Sequence, residues 1–208
     1  MRWPSIILKR GIDIVGSTAG LILLSPALAA IAVLVRASDG GPAFYVGKRV
    51  GRDGREFGLI KFRSMRPQAD KEGAAVTSKA DDRVTPLGHV LRRTKLDELP
   101  QLINVIRGDM SLVGPRPESP MYVALYSDEQ RQILKVRPGI TGPASLKFRD
   151  EQEMLVGEDW HATYVDQVMP NKVAIDLEYL SVQTIRSDLS IIARTIASIF
   201  GRTIASRS

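Results

Sequence analysis

From Ile14 to Val35 the chain reads IVGSTAGLILLSPALAAIAVLV, 22 residues without a charge. As one helix this run would be about 33 Å long, enough to cross a bilayer. A helix apolar on every side is an unusual core element for a protein of 208 residues. Lys9 and Arg10 ahead of the run, with Ala27-Leu28-Ala29 inside it, resemble a cleaved signal peptide. The run continues past that site to Val35, which argues against cleavage. Arg2, Lys9 and Arg10 precede it, and Arg36, Lys48, Arg49, Arg52 and Arg55 follow it. Both flanks therefore compete for the cytoplasmic side. Pro26, at the midpoint, cannot donate to the residue 22 carbonyl, so a kink is expected there. The Ser25 hydroxyl can satisfy a carbonyl freed in this way. These residues leave two readings open, a kinked single span and a broken helix that enters one leaflet and returns.

The charge along the chain is uneven. The net charge is +6, yet residues 1–66 hold 11 Lys+Arg against 4 Asp+Glu, so the remainder is slightly acidic. Cys is absent, which excludes thiol nucleophiles, thiolate metal sites and disulfides. His89 and His161 are too far apart for a local zinc motif, and they leave few candidates for a Ser-His-Asp hydrolase. Asp53-Gly54 between FYV and FGLIKF predicts a hairpin. The basic cluster from Lys48 to Arg66 is either a solvated face or a contact for anionic lipid; because it adjoins the membrane segment, lipid contact is preferred to nucleic-acid binding. Lys61 and Arg63 are candidates for an anionic substrate.

Gln68–Asp82 reads as a polar loop or short helix, and Pro86–Arg93 as a helix. In LDELPQLINVIRG, Asp97 fits a helix N-cap, Pro100 the first turn and Gly108 the far end. Ser127–Gln130 fits a capping box opening a further helix. Arg137-Pro138-Gly139 and Gly142-Pro143 mark turns. Ile185, Leu189, Ile192, Ile196 and Ile199 form one stripe of a helix that packs on a soluble core or lies in a membrane interface. Asp97 and Glu98 would diverge by about 100° in a regular helix. At a helix start, however, Asp97 can act as nucleophile or metal ligand as well as cap. Arg92 and Arg93 precede the pair. Arg116 stands between two prolines that restrict its direction. Carboxylates with oriented arginines suit phosphoryl transfer. Capping and surface ion pairs account for the same residues.

The segments KRVGRDGREFGLIKFRSM, DDRVTPLGHVLRRTKLDELPQLINVIRGDMSLVGPRPE and KVRPGITGP, in this order, closely resemble the bacterial sugar transferase family, the monotopic polyprenyl-phosphate phosphoglycosyl transferases. The resemblance covers nearly the whole chain and suggests the minimal catalytic form. It implies a mainly helical α+β fold with a small β-hairpin. Residues 1–36 would form a re-entrant membrane anchor, broken at Ser25-Pro26, and residues 37–208 a cytoplasmic catalytic domain with interfacial C-terminal helices. Both termini would lie at the cytoplasmic face of a bacterial inner membrane. It further implies Asp97 as nucleophile toward the β-phosphate of a UDP-sugar, with Glu98 as its partner. Arg92, Arg116 and Asp176 would be active-site residues, Mg²⁺ the cofactor, close to or held by Asp97, and polyprenyl phosphate the acceptor. Many relatives follow RPGITG with Trp-Ala-Gln, where this chain has Pro143-Ala144-Ser145. The identity of the sugar, the glycan pathway and homodimerisation are therefore left open. The rival reading is a membrane-tethered basic protein that binds anionic lipid or nucleic acid.

Overall fold

The computed structural model describes residues 3–69, 81–155 and 159–205. Most of the loop expected over Gln68–Asp82 thus lies outside the described residues. The apolar run is the centre of one long helix, α1 (Trp3–Asp39). The secondary structure does not break at Ser25-Pro26: the helix continues through Pro26. The Ser25 hydroxyl donates to the Ile22 carbonyl at 2.8 Å, the acceptor that Pro26 leaves without its backbone donor. Few of the apolar side chains of α1 are buried; Ile22, Leu23 and Val33 stand largely exposed.

A hairpin follows, β1 (Phe44–Val50) antiparallel to β2 (Glu56–Phe62), with Phe44 opposite Phe62 and Val50 opposite Glu56. Its tight turn holds Asp53 and Gly54 at positive φ, as the Asp-Gly pair predicts. Helix α2 (Pro86–Thr94) is capped by the Thr85 side chain, which accepts from Gly88 N. Gly88 sits directly on the Ser64 backbone, where a Cβ would fall 1.9 Å from the Ser64 carbonyl oxygen, so only glycine permits this packing. Helix α3 (Gln101–Arg107) ends at Gly108 in the left-handed conformation.

Between the segments read as turns, Arg137-Pro138-Gly139 and Gly142-Pro143, the chain also forms one strand of a second sheet. Strand β3 (Ser111–Val113) pairs in parallel with β4 (Gly139–Thr141). A Cβ on Gly139 would meet Gly114 N at 2.1 Å, so the glycines allow two backbones to touch beside the Pro-Arg-Pro turn. The short helices α4 (Pro120–Val123), α5 (Pro143–Lys147) and α6 (Trp160–Thr163) follow, and α6 runs into a π-helical turn, Tyr164–Val168. The box at Ser127 and Gln130 forms in both directions, at 3.2 and 2.9 Å, but it precedes a 3₁₀ stretch (Gln130–Lys135) rather than an α-helix.

Helices α7 (Met169–Val182) and α8 (Ile185–Ala205) are the last described elements. Tyr122, Leu155, Tyr164, Val168, Met169 and Val173 make the main core. The stripe on α8 is only partly covered, with Ile185, Ile192 and Ile199 at intermediate burial. Leu189 and Ile196 are half exposed, while the inward face carries Asp188 and Ile191.

Helix α1 is bonded to the globular part on both sides of Pro26. Ahead of it, Lys9 Nζ pairs with Asp188 at 2.7 Å and donates to the Val113 carbonyl at 3.0 Å. Buried Asp13 accepts from Leu112 N at 3.0 Å and from the Ser111 hydroxyl at 3.1 Å. Gly16 and Gly20 lie against Leu112 and Leu102. Beyond Pro26, Leu28, Ile31 and Val35 pack with Phe62 and Leu91, and Asp39 pairs with Arg63.

Candidate active site

A cleft of about 780 Å³ opens between the hairpin, α2, the turn before α3 and the Pro-Arg-Pro segment. Asp97 and Glu98 line it together. They lie on a 3₁₀ turn, Leu96–Glu98, entered through Lys95 in the left-handed conformation. Asp97 is therefore not the N-cap of α3: Pro100 occupies that position, and no side chain caps the helix. The physical reason is that Lys95 ends α2 as its C-cap, so the chain must reverse before it can start α3. The tight turn lets neighbouring carboxylates share a cleft that a regular helix would deny them. Asn104 anchors this arrangement to the hairpin. It accepts from Ile60 N at 3.0 Å and donates to the Gly58 carbonyl at 2.7 Å.

The two carboxylates, 5% and 7% exposed, have opposite circumstances. Glu98 is saturated. Arg116 grips it through both terminal nitrogens, at 3.1 and 2.5 Å, and Lys61 adds a bond of 3.1 Å. Burial would raise its pKa, but Arg116 and Lys61 hold it well below the usual carboxylate range. Asp97 has Oδ1 buried without a hydrogen-bond partner. Burial raises its pKa, opposed chiefly by Lys61, while the Glu98 charge adds to the rise. A carboxylate stripped of water and left unbonded is poised for a ligand, since the desolvation has been met without a compensating bond.

The other expected residues have distinct places. Arg92 lines the cleft, with Nε donating to the Ser64 hydroxyl at 2.8 Å and Nη1 left unpartnered. Arg63 lines it too, but its guanidinium is engaged by Asp39 at the end of α1. Asp176 is not among the cleft-lining residues. It accepts from Ala144 N at 3.1 Å, and from the Arg116 backbone, so it holds the Pro-Arg-Pro turn from behind. Burial pushes its pKa up to about 6. Among the cleft residues not singled out from sequence are Lys95, Gln101, Glu151, Tyr164 and Lys172. Lys95 immediately precedes the LDELPQ segment and Gln101 closes it, and this proximity to the acidic pair was the available signal. Lys172 comes from α7 and had none.

A model of the bacterial sugar transferase family matches residues 4–202. The chain belongs to that family. This sugar transferase is 38% identical over 198 residues to the UDP-glucose:undecaprenyl-phosphate glucose-1-phosphate transferase of Escherichia coli K12, covering 91% of this chain and 39% of that one. It is 36% identical over 206 residues to the exopolysaccharide production protein ExoY of Rhizobium meliloti, covering 92% and 84% of the two chains. A UDP-glucose:undecaprenyl-phosphate glucose-1-phosphate transferase of Caulobacter vibrioides is 35% identical over 195 residues, with 92% and 69% covered. The sugar transferase thus spans well under half of the E. coli relative but most of ExoY.

Among the described residues no three His, Cys, Asp or Glu side chains gather as a metal cage. The donor set still fits Mg²⁺. That ion commonly takes one or two carboxylates and completes its shell with water and substrate phosphate. Asp97, with its orphaned Oδ1, is a hard oxygen ligand of this kind.

Proposed function

We propose that this sugar transferase moves a sugar 1-phosphate from a UDP-sugar to polyprenyl phosphate through a covalent intermediate on Asp97. The observation that carries the reading is the asymmetry of the acidic pair. One carboxylate is locked by Arg116 and Lys61, and its neighbour is buried, unbonded and open to a cationic cleft. An Asp97 oxygen attacks the β-phosphorus. The bond from that phosphorus to the oxygen bridging to the α-phosphate breaks, and UMP leaves with the electron pair. An oxygen of the acceptor phosphate then attacks the sugar-phosphoryl-aspartate, the Asp97 oxygen–phosphorus bond breaks, and the carboxylate is restored. Two dissimilar substrates thereby use one nucleophile in turn.

Lys61, Arg92 and Arg116 offset the diphosphate charge that would repel an anionic nucleophile. Glu98 holds the Arg116 fork and Lys61 in place, and Asp176 fixes the Arg116 backbone. Asp97 would hold Mg²⁺ together with phosphate oxygens, and the ion when bound would neutralise the diphosphate. The names of the E. coli and C. vibrioides relatives support UDP-sugar and undecaprenyl phosphate as substrates, and ExoY supports a place in polysaccharide assembly. A lipid- or nucleic-acid-binding role has no use for a buried, unbonded carboxylate.

The anchor is read as re-entrant, with both termini cytoplasmic. Contacts with one globular part extend along α1 to Gly20 and resume at Leu28. The seven residues between them span about 10 Å of helix, against a hydrocarbon core of about 30 Å. A full crossing would strip one set of contacts, buried Asp13 included. Exposed Ile22 and Leu23 then face the leaflet, and α8 presents Leu189 and Ile196 to the interface.

The covalent step is tested without acceptor. UDP-sugar with Mg²⁺ should release about one UMP per active site as a burst. The protein should gain the mass of a sugar phosphate on the peptide carrying Asp97. An active enzyme giving neither burst nor adduct would overturn the nucleophile assignment in favour of direct transfer.

A further inference from the structure

Beyond Arg116 the cleft wall has a composition that phosphate binding does not explain. Glu118, Glu151, Tyr164 and Lys172 all line it. The Tyr164 hydroxyl donates to Glu118 Oε1 at 2.5 Å. Lys172 Nζ donates to the same oxygen at 3.2 Å and to Glu151 Oε2 at 2.8 Å, and lies 5.3 Å from the centre of the Tyr164 ring. Two carboxylates share one ammonium, with Arg49 and Arg116 also close to Glu118, so the carboxylates are held ionised in the wall rather than replaced by further phosphate-binding cations. The charged side chains are nonetheless largely buried, at 7% exposure for Lys172, 12% for Glu118 and 21% for Glu151. Apolar residues of similar volume would often be at least as stable there. The cluster also starts at the π-helical turn, a form frequent at functional sites. Its internal bonds fall on one oxygen of each carboxylate. Oε2 of Glu118 and Oε1 of Glu151 stand outside them.

We infer that Glu118, Glu151, Tyr164 and Lys172 form the subsite for the hydroxyl groups of the donor's sugar ring. The inference rests on the transfer reaction proposed above. A carboxylate is a strong acceptor for a neutral hydroxyl, and Lys172 with Tyr164 holds both carboxylates in one orientation. Position selects the sugar over the ribose. Glu118 follows Arg116 by two residues, so their Cα atoms are within about 7 Å. The sugar is joined to the β-phosphate that Asp97 attacks, whereas the ribose lies beyond the α-phosphate. A group beside Arg116 therefore meets the sugar first.

The experiment uses the full chain in detergent with Mg²⁺. Wild-type protein is first offered UDP-glucose, UDP-galactose and UDP-N-acetylgalactosamine with polyprenyl phosphate, and UMP release identifies the preferred donor. Calorimetric titrations with that donor and with UDP are then made on Asp97→Asn protein, which should not consume the donor. Adding Glu118→Gln or Glu151→Gln should weaken the UDP-sugar by about 10-fold or more, as expected for a lost hydrogen bond to a charged group, and leave UDP within about twofold. In protein with Asp97 intact, the same changes should narrow the kcat/KM preference among the three donors by about 10-fold. Glu151→Gln keeps an oxygen for Lys172, so it serves if Glu118→Gln fails to fold. Equal weakening of UDP and UDP-sugar would assign the cluster to the nucleotide and overturn the inference. Unchanged binding with an unchanged donor preference would reduce it to a structural ion pair. Absence of UMP release from wild-type protein with every donor is a separate outcome, and it counts against the transfer reaction itself.

Discussion

Replacing Arg116 by Lys retains the positive charge and removes the planar fork. In the structure that fork makes two of the three bonds that satisfy Glu98, at 3.1 and 2.5 Å, with Lys61 making the third. A single ammonium keeps one of the two and leaves Glu98 Oε2 without a donor. A hydrogen bond to a charged group contributes about 1.5–3 kcal/mol. The Arg116 side chain is 29% exposed, so the lower part of that range applies, about 1.5–2 kcal/mol. For a chain of this size the loss corresponds to a fall of roughly 3–8 °C in unfolding temperature. The guanidinium has five N–H donors, and those not on Glu98 are available to a phosphate. Losing one such contact in the transition state slows the burst of UMP release by about 10- to 100-fold. The stability difference also has a predictable pH dependence. Glu98 is held below its unfolded pKa, so the pair contributes stability above the usual carboxylate range and loses it as pH falls through the lowered value. The gap between wild type and Arg116→Lys should therefore close in acid. Burst kinetics at saturating donor and thermal unfolding at several pH values measure both effects. A folded Arg116→Lys protein with the wild-type burst rate and unfolding temperature would refute the clamp.

Asp97→Asn should abolish both burst and adduct, yet stabilise the protein near neutral pH. Burial raises the Asp97 pKa, so ionising it opposes folding as pH rises; thermal unfolding of the variant should show a gain that disappears in acid. Asp176→Asn keeps an oxygen for Ala144 N and Arg116 N and should retain most activity, whereas Asp176→Ala leaves these donors unpaired, loosens Arg116 and should lower the burst rate by about 10-fold. The topology is testable because the chain has no cysteine. Gly11→Cys, which meets nothing within 4 Å, and Arg55→Cys on the exposed hairpin should both react with a membrane-impermeant maleimide in inverted vesicles. Protection of position 11 alone would establish a full crossing.

Features that depend on neighbours in the chain were legible in the sequence. The apolar run became α1, and Ser25 bonds the carbonyl that Pro26 deprives of its donor, three residues away. Asp53-Gly54 closed the hairpin, Gly108 ended α3, and Ser127 and Gln130 found one another. Such contacts are set by backbone dihedrals and short closures, which local residue types control. The acidic pair and Arg116, quoted from compact motifs, lie together on one cleft.

The tertiary structure decided what depends on residues far apart in the chain. Lys95 ends α2 in the left-handed conformation, and this turned Asp97 from an expected cap into an unbonded carboxylate in a cleft. The parallel pairing of β3 with β4 joins residues 28 apart, Ser111 with Gly139, and Gly139 reads as a turn because nothing local announces a second backbone. Arg63, one of several basic residues in sequence, was claimed by Asp39. Glu118, Glu151, Tyr164 and Lys172 meet only because the main core packs α7 and the π-helical turn behind the cleft. A buried charge selects its partner by where folding leaves it, and that geometry belongs to the whole molecule.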